Sequence, residues 1–168
     1  MIRFGALVAV IAALFVMPAH AASSALSPEA NTAYLAANAK KPGVVVAPSG
    51  LQYKIIKSGY GQRPSPLDKV QVYYSGALIN GTVFDSTEPG LPATFEVDQL
   101  IPGWTQALEI MREGDHWQLV IPSSLAYGAR GAGDGLIPPN QTLVFDLELV
   151  KVLPPDKHPS PDDDQDSQ

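Results

Sequence analysis

The chain has 168 residues with 11 basic and 17 acidic side chains, and it contains no cysteine. The net charge of −6 repels phosphate backbones, so nucleic-acid binding is not expected. Beyond the N-terminal region the only histidines are His116 and His158, so neither a thiol site nor a histidine-rich metal site can be built. We therefore expect no metal and no other cofactor.

The first 21 residues have the pattern of a secretory signal peptide. Arg3 precedes an apolar run from Phe4 to Met17, which is too short to span a bilayer, and a small-residue cleavage site ends at Ala21. An uncleaved membrane anchor is the alternative. We expect export to a bacterial periplasm or secretion, with no stable membrane anchor.

Residues 22–49 are expected to form a short N-terminal arm. Ser27 has the features of a helix N-cap, and Pro28 fits the first turn. A weak helical face then follows, made of Ala30, Ala33, Tyr34, Ala37 and Asn38. The arm either packs on the core or pairs with another copy, and the sequence does not decide between these.

The segment 50–153 is long enough for one domain, and its periodicity is mostly that of strands. Polar and apolar residues alternate over 70–78, over 116–121 and over 143–149, and shorter stretches near 51–55 and 95–97 are expected to be further strands. Asn80-Gly81 predicts a two-residue type I′ hairpin turn.

One segment has helical spacing instead. Trp104, Ala107, Leu108 and Met111 recur at i, i+3, i+4 and i+7, which predicts an amphipathic helix of two to three turns that Gly114 terminates. We therefore predict an α+β fold, with an antiparallel twisted sheet of four to six strands wrapped on one short amphipathic helix.

The last segment, 154–168, is rich in proline and aspartate. Such a composition cannot bury enough apolar surface to offset the entropy of ordering, so a disordered acidic tail is expected.

Established catalytic motifs are missing from the chain. The sequence has no Gly-x-Ser-x-Gly elbow, and the glycines over 128–135 are not followed by Gly-Lys-Ser/Thr. Covalent acyl transfer and phosphate binding are therefore disfavoured, and an apolar pocket without a nucleophile is the better expectation.

Several motifs together resemble the FKBP-type peptidyl-prolyl cis/trans isomerases, over residues 50–153. The leader and the approach to the domain are similar to the exported bacterial branch, which includes macrophage infectivity potentiator proteins. Some of those relatives carry a long dimerising helical domain that does not fit in residues 22–49, so monomer versus dimer stays open. The motifs are Tyr74-Ser75-Gly76, Gly81-Thr82-Val83-Phe84-Asp85-Ser86, Leu100-Ile101-Pro102-Gly103-Trp104, Ala126-Tyr127-Gly128, Ile137-Pro138-Pro139-Asn140 and Phe145-Asp146-Leu147-Glu148-Leu149.

The resemblance implies the site residues. It implies a catalytic set in which Asp85 orients polar groups near the reacting carbonyl, while the Tyr127 hydroxyl and the Ile101 N–H donate to substrate carbonyls. The rim formed by Leu136 and Ile137 would read the residue before proline. The catalytic set comprises Tyr74, Asp85, Ile101, Tyr127 and Phe145, and the substrate-binding set comprises Phe84, Phe95, Leu100, Trp104, Leu136 and Ile137.

The implied function is peptidyl-prolyl isomerisation in the folding of exported proteins, with proline-containing polypeptides as substrates and macrolides as candidate inhibitors. A noncatalytic periplasmic chaperone or peptide-binding module on the same scaffold is the alternative. A secreted factor that acts on host proteins by the same chemistry is a third hypothesis, and the sequence does not separate it from the first.

Overall fold

The computed structural model of the protein describes residues 25–155. The predicted signal peptide and the acidic tail beyond residue 155 lie outside the described residues. Within them, seven antiparallel strands form one sheet in the order β1-β2-β6-β7-β3-β4, and β5 also pairs with β3. The strands are β1 (Val44–Val46), β2 (Gln52–Lys57), β3 (Lys69–Leu78), β4 (Val83–Ser86), β5 (Ala93–Glu96), β6 (His116–Ile121) and β7 (Leu143–Leu153).

The predicted fold class is confirmed, although the sheet has seven strands where four to six were predicted. The additional strand is β1, which comes from the arm and pairs with β2. Its three valines leave no room for an alternation pattern, so sequence periodicity could not reveal it. Two α-helices accompany the sheet, α1 (Pro28–Asn38) and α2 (Pro102–Leu108).

The helix α2 forms the core together with the inner face of the sheet. Trp104, Ala107 and Leu108 on α2 are buried and pack in one apolar cluster with Leu119 and Leu147 from the central strands. The backbone approaches β6 closely at Gly103, where an added Cβ would lie 2.5 Å from a methyl group of Ile121. The helix therefore sits directly against the sheet.

The predicted end of α2 is wrong. The helix has seven residues and ends at Leu108, six residues before Gly114. Beyond it, the carboxylate of Asp115 accepts hydrogen bonds from the N–H groups of Arg112 and Gly59, both at 2.6 Å. This turn is therefore held by the distant loop at Gly59. Met111 is fully buried although it lies beyond the helix, so its spacing from Trp104, Ala107 and Leu108 looked like one more helical turn.

The predicted type I′ turn between β3 and β4 is also wrong. Type I′ requires positive φ at both central residues, but Gly81 has φ +87° while Asn80 is not in the positive region. The Gly81 N–H donates to Leu78 O, and the Leu78 N–H donates to Thr82 O, both at 2.9 Å. The loop thus has three residues and closes with Gly81 in the left-handed conformation, the second most common hairpin class.

The helix α1 docks on the outer face of the sheet through buried amide side chains. Ser27 caps it as predicted, since its Oγ accepts from the Ala30 N–H at 3.1 Å. The packing face matches the predicted one only in part. Asn38 is buried in it at 2% exposure, but Ala33 and Ala37 are exposed, and Asn31, which was not predicted, is 5% exposed. The arm therefore packs on the core of its own chain.

One end of α1 is held to β2. Asn38 Nδ2 donates to Gln52 Oε1 at 2.9 Å, and Gln52 Nε2 donates to Leu35 O at 3.0 Å. Gln52 pairs with Val120 of β6, so both side chains lie on the face that α1 occupies. Val120 is accordingly 2% exposed, although the alternation of β6 placed it on the polar face.

Candidate active site

A cavity of about 260 Å³ opens between α2, the β3–β4 hairpin, β5 and the loop after β6. Nine of the predicted site residues line it, together with Gln99, which was not predicted. The lining residues are Tyr74, Phe84, Asp85, Phe95, Gln99, Leu100, Ile101, Trp104, Tyr127 and Phe145.

The aromatic rings meet nearly at right angles around Trp104. Its ring centroid lies 5.2 Å from that of Tyr74, 5.3 Å from Phe145 and 5.9 Å from Phe95, with interplanar angles of 83° to 90°. Edge-to-face contacts of this kind favour the ring quadrupoles beyond simple burial. Trp104 is 4% exposed, and the other rings form walls around it.

Gly76 on β3 makes the wall possible. A Cβ at this position would lie 2.6 Å from Phe145 Cε1 and 2.7 Å from Phe84 Cζ, which no ordinary side chain can do. The two rings cross over the glycine with their centroids 5.7 Å apart. The motif Tyr74-Ser75-Gly76 thus contributes the ring of Tyr74 to the cavity, and its glycine leaves the space that the rings of Phe84 and Phe145 occupy.

Asp85 supplies a carboxylate at the edge of the rings. The Tyr74 hydroxyl donates to Asp85 Oδ2 at 2.6 Å, a short charge-assisted bond that links β3 to β4. Burial, this hydrogen bond and the Asp85 charge raise the pKa of Tyr74 above its ordinary value. The phenol therefore stays protonated and holds Asp85 in place at neutral pH.

Tyr127 faces the same carboxylate from the loop after β6. Partial burial is the main cause that raises the pKa of Tyr127, and the Asp85 charge adds to it. Its side chain remains 39% exposed, and no hydrogen bond occupies its hydroxyl within residues 25–155. A protonated phenol at the mouth of the cavity can donate to a carbonyl group.

Ile101 directly precedes α2. Its carbonyl accepts from the Trp104 and Thr105 N–H groups, at 2.9 and 3.2 Å, which anchors the first turn of the helix. Its own N–H has no acceptor in the described part of the chain. With Leu100 beside it, this residue brings a free backbone donor to the wall of the cavity.

Leu136 and Ile137 do not line this cavity. They line a neighbouring one of about 270 Å³, which shares Phe84, Asp85 and Tyr127 with the first. Leu136 is 63% exposed, while Ile137 is 6% exposed and belongs to the core cluster. The shared residues form the boundary between the two cavities.

Gln99 is the lining residue that sequence reasoning missed. It ends a short 3-10 helix directly before Leu100, and its Nε2 donates to Asp98 Oδ1 at 3.3 Å. No periodicity marks a polar residue in such a turn. Its position next to the Leu100-Ile101-Pro102-Gly103-Trp104 motif was the one available indication.

Two further features concern the wider chemistry of residues 25–155. They hold no group of three or more His, Cys, Asp or Glu side chains that could bind a metal ion. None of the helices in the same residues has the length and hydropathy needed to cross a membrane.

Comparison with known proteins decides the family. The family model described as FKBP-type peptidyl-prolyl cis-trans isomerase matches residues 61–150. The chain belongs to the FKBP-type peptidyl-prolyl cis-trans isomerase family. A second model, described as the domain amino terminal to this isomerase, matches residues 10–55 and so includes the arm of this FKBP-type protein.

Relatives and solved structures agree with this assignment. The "Outer membrane protein MIP" of Legionella longbeachae is 57% identical over 121 residues, which is 71% of this chain and 52% of that protein. The peptidyl-prolyl cis-trans isomerase of Pseudomonas syringae superposes with a TM-score of 0.70 at 42% identity, over 74% of this chain and 92% of that one. FkpA from Escherichia coli also gives a TM-score of 0.70, at 43% identity over 74% of this chain and 58% of that one.

The chain spans about half the length of several relatives that it matches, such as the Legionella protein. The family model and the solved structures establish the family and the fold of the FKBP-type domain.

Proposed function

We propose that this protein accelerates cis/trans rotation of X-Pro peptide bonds in polypeptide substrates. The observation that carries the proposal is the cavity of perpendicular rings around Trp104, with the Asp85 carboxylate and two unoccupied donors at its edge. The family membership and the fold support the same activity.

The chemistry requires no covalent step. Rotation about an X-Pro bond crosses a barrier of about 18–20 kcal/mol, because the twisted amide loses its C–N resonance. The twisted form carries less charge separation than the planar amide, so a dry apolar wall favours it. Lowering the barrier by about 8 kcal/mol gives on the order of a millionfold acceleration.

Each part of the cavity has a place in this mechanism. The prolyl ring rests on Trp104, while Phe95 and Phe145 exclude water from the bond. The Ile101 N–H and the Tyr127 hydroxyl hold substrate carbonyls on either side. Asp85, fixed by Tyr74, orients the polar groups near the reacting carbonyl.

The neighbouring cavity would accept the residue before proline. Its lining by Leu136, Ile137 and Phe84 is apolar, so we expect a preference for apolar side chains at that position. Macrolides that present an apolar ring system are expected to compete with peptides for the main cavity. The isomerase unit is assigned to residues 50–153, preceded by the arm at 22–49.

Export of the protein, to a bacterial periplasm or beyond the cell, is part of the proposal. It rests on the N-terminal pattern of Arg3 and the apolar run and on the name "Outer membrane protein MIP" of a close relative. A chaperone role in the folding of exported proteins follows, because prolyl isomerisation takes tens of seconds and limits folding.

The cis-to-trans conversion of a Leu-Pro peptide tests the function. We expect the wild-type chain to accelerate conversion well above the spontaneous rate, and to speed the refolding of a protein limited by a prolyl bond. A purely spontaneous rate would refute the enzyme and favour the peptide-binding module. That alternative predicts peptide-dependent changes in Trp104 fluorescence without any acceleration.

A further inference from the structure

We propose that the arm helix α1 positions the rim of the substrate site, and that Asn31 is the positioning residue. The inference rests on the proposed function, because the rim matters only if it binds substrate. It goes further by assigning a role in the site to a helix on the other side of the sheet.

The contact is a network of buried amides. Asn31 Nδ2 donates to Gln141 Oε1 at 3.1 Å, and Asn31 Oδ1 accepts from the Thr142 N–H at 2.7 Å. Asn31, Gln141 and Thr142 are 5%, 6% and 2% exposed. Because buried polar groups need partners, these three residues hold one another in a single arrangement.

The network continues into the loop over 131–140, the rim loop, which carries Leu136 and Ile137. Gln141 Nε2 donates to Pro139 O at 3.0 Å and to Leu26 O at 3.1 Å. Asn31 therefore fixes Gln141, and Gln141 fixes the backbone at Pro139, two residues from Ile137. The arm thus reaches the C-terminal side of the loop through buried side chains.

Backbone hydrogen bonds join the N-terminal side of the rim loop to its C-terminal side. Ala132 and Ile137 exchange two backbone hydrogen bonds of 2.9 and 3.0 Å, and the Asn140 N–H donates to Gly128 O at 2.8 Å. Ala132, Leu136 and Ile137 line the cavity proposed for the residue before proline. A shift at residues 139–142 would therefore move the wall of that cavity.

The other end of α1 provides a matched control. Asn38 makes the same kind of amide bond, to Gln52 on β2, and is equally buried. Gln52 lies on the outer face and lines neither cavity. Loss of Asn38 loosens the same helix without touching the rim.

The test compares Asn31→Ala with Asn38→Ala in the full chain, with a protease-free isomerase assay. We expect kcat/KM of Asn31→Ala to fall about three- to tenfold, mainly through KM, because the rim binds substrate and does not react. The ratio between Leu-Pro and Ala-Pro peptides should fall as well. Asn38→Ala should stay within about twofold of wild type, although it removes the Gln52 bond that holds the same helix.

Amide hydrogen exchange provides the readout that does not depend on activity. Measured relative to core amides such as Leu147, which report the global stability of each variant, the N–H groups of Ala132 and Ile137 should exchange faster in Asn31→Ala than in Asn38→Ala. Gln141→Ala removes the bond to Pro139 O and leaves Asn31 its bond from the Thr142 N–H, so it should also raise exchange at Ala132 and Ile137. This variant carries the test if Asn31→Ala does not fold.

Equal effects of the two alanine variants on kcat/KM and on rim exchange would overturn the proposal, and so would an unchanged rim in Asn31→Ala. An inactive wild type would remove the proposed function only. The exchange comparison would then still decide whether Asn31 braces the loop.

Discussion

At the scale of single residues, the hydrogen bond between Tyr74 and Asp85 holds the carboxylate of the site in place. Its length of 2.6 Å and its charged acceptor put it among the strong bonds found in proteins. Asp85 is exposed, so without this bond its side chain would be free to rotate into solvent.

Tyr74→Phe removes that bond and keeps the ring. We expect kcat/KM to fall by about tenfold, in line with the loss of a hydrogen bond to a charged group. Tyr73→Phe is the matched control, because the neighbouring side chain points to the opposite face of β3. A Tyr74→Phe enzyme as active as Tyr73→Phe would show that Asp85 needs no orientation.

Alkaline pH should weaken the native state through the same phenol. The pKa of Tyr74 is raised in the folded protein, so the native state holds this proton more tightly than the unfolded chain. Its contribution to stability is complete below the ordinary pKa of about 10 and is lost as pH rises above that value.

We therefore expect the melting temperature of wild type to fall more steeply from about pH 10 upward than that of Tyr74→Phe. Thermal melts followed by circular dichroism measure both slopes. Parallel slopes would mean that Tyr74 titrates in the folded state as it does in the unfolded chain.

At the scale of elements, Gly76 determines how β3 passes beneath the rings. Gly76→Ala would place a methyl group within 3 Å of both Phe84 and Phe145. We expect a loss of about 1–3 kcal/mol in the free energy of unfolding, as in other overpacked cores, together with reduced activity. Ser75→Ala, one position earlier, should be nearly neutral in urea unfolding, and an equally stable Gly76→Ala would contradict the packing described here.

Strands and their inner faces could be predicted from the sequence because burial has a direct period-two signature. Val70, Val72, Leu119 and Ile121 all lie in the core cluster, as their alternation implied. These strands followed from this pattern alone, without the order in which they pair.

The errors occurred where distant contacts override local patterns. The turn that follows α2 is held by Asp115, which accepts from the N–H of Gly59 across 56 positions in sequence. The packing face of α1 includes the buried Asn31, whose partners Gln141 and Thr142 lie more than 100 positions away in sequence. In both cases the deciding partner lies on another element.

The site was predictable to a different degree. Its rings stand in motifs that the family resemblance placed by residue, and the structure brings nine of those residues to one cavity. The separation of Leu136 and Ile137 into a neighbouring cavity depends on how the loop over 131–140 folds, which no local pattern encodes.

At the scale of the whole molecule, a ligand that fills the cavity should stabilise the fold. A macrolide at about one hundred times its Kd would raise the free energy of unfolding by about 2.7 kcal/mol if it binds only the native state. We expect a dose-dependent rise in melting temperature, with the rise abolished in Phe145→Ala. A rise of equal size in that variant would place the ligand elsewhere.

The most direct test of the account compares Phe145→Ala with Leu147→Ala in the Leu-Pro assay. Both side chains come from the inner face of β7 and are buried, so both variants should lose similar stability, about 2–5 kcal/mol. Only Phe145 lines the cavity. We predict a loss of about a hundredfold in kcat/KM for Phe145→Ala and near wild-type activity for folded Leu147→Ala. Equal activity of the two folded variants would contradict the claim that the apolar rings lower the barrier.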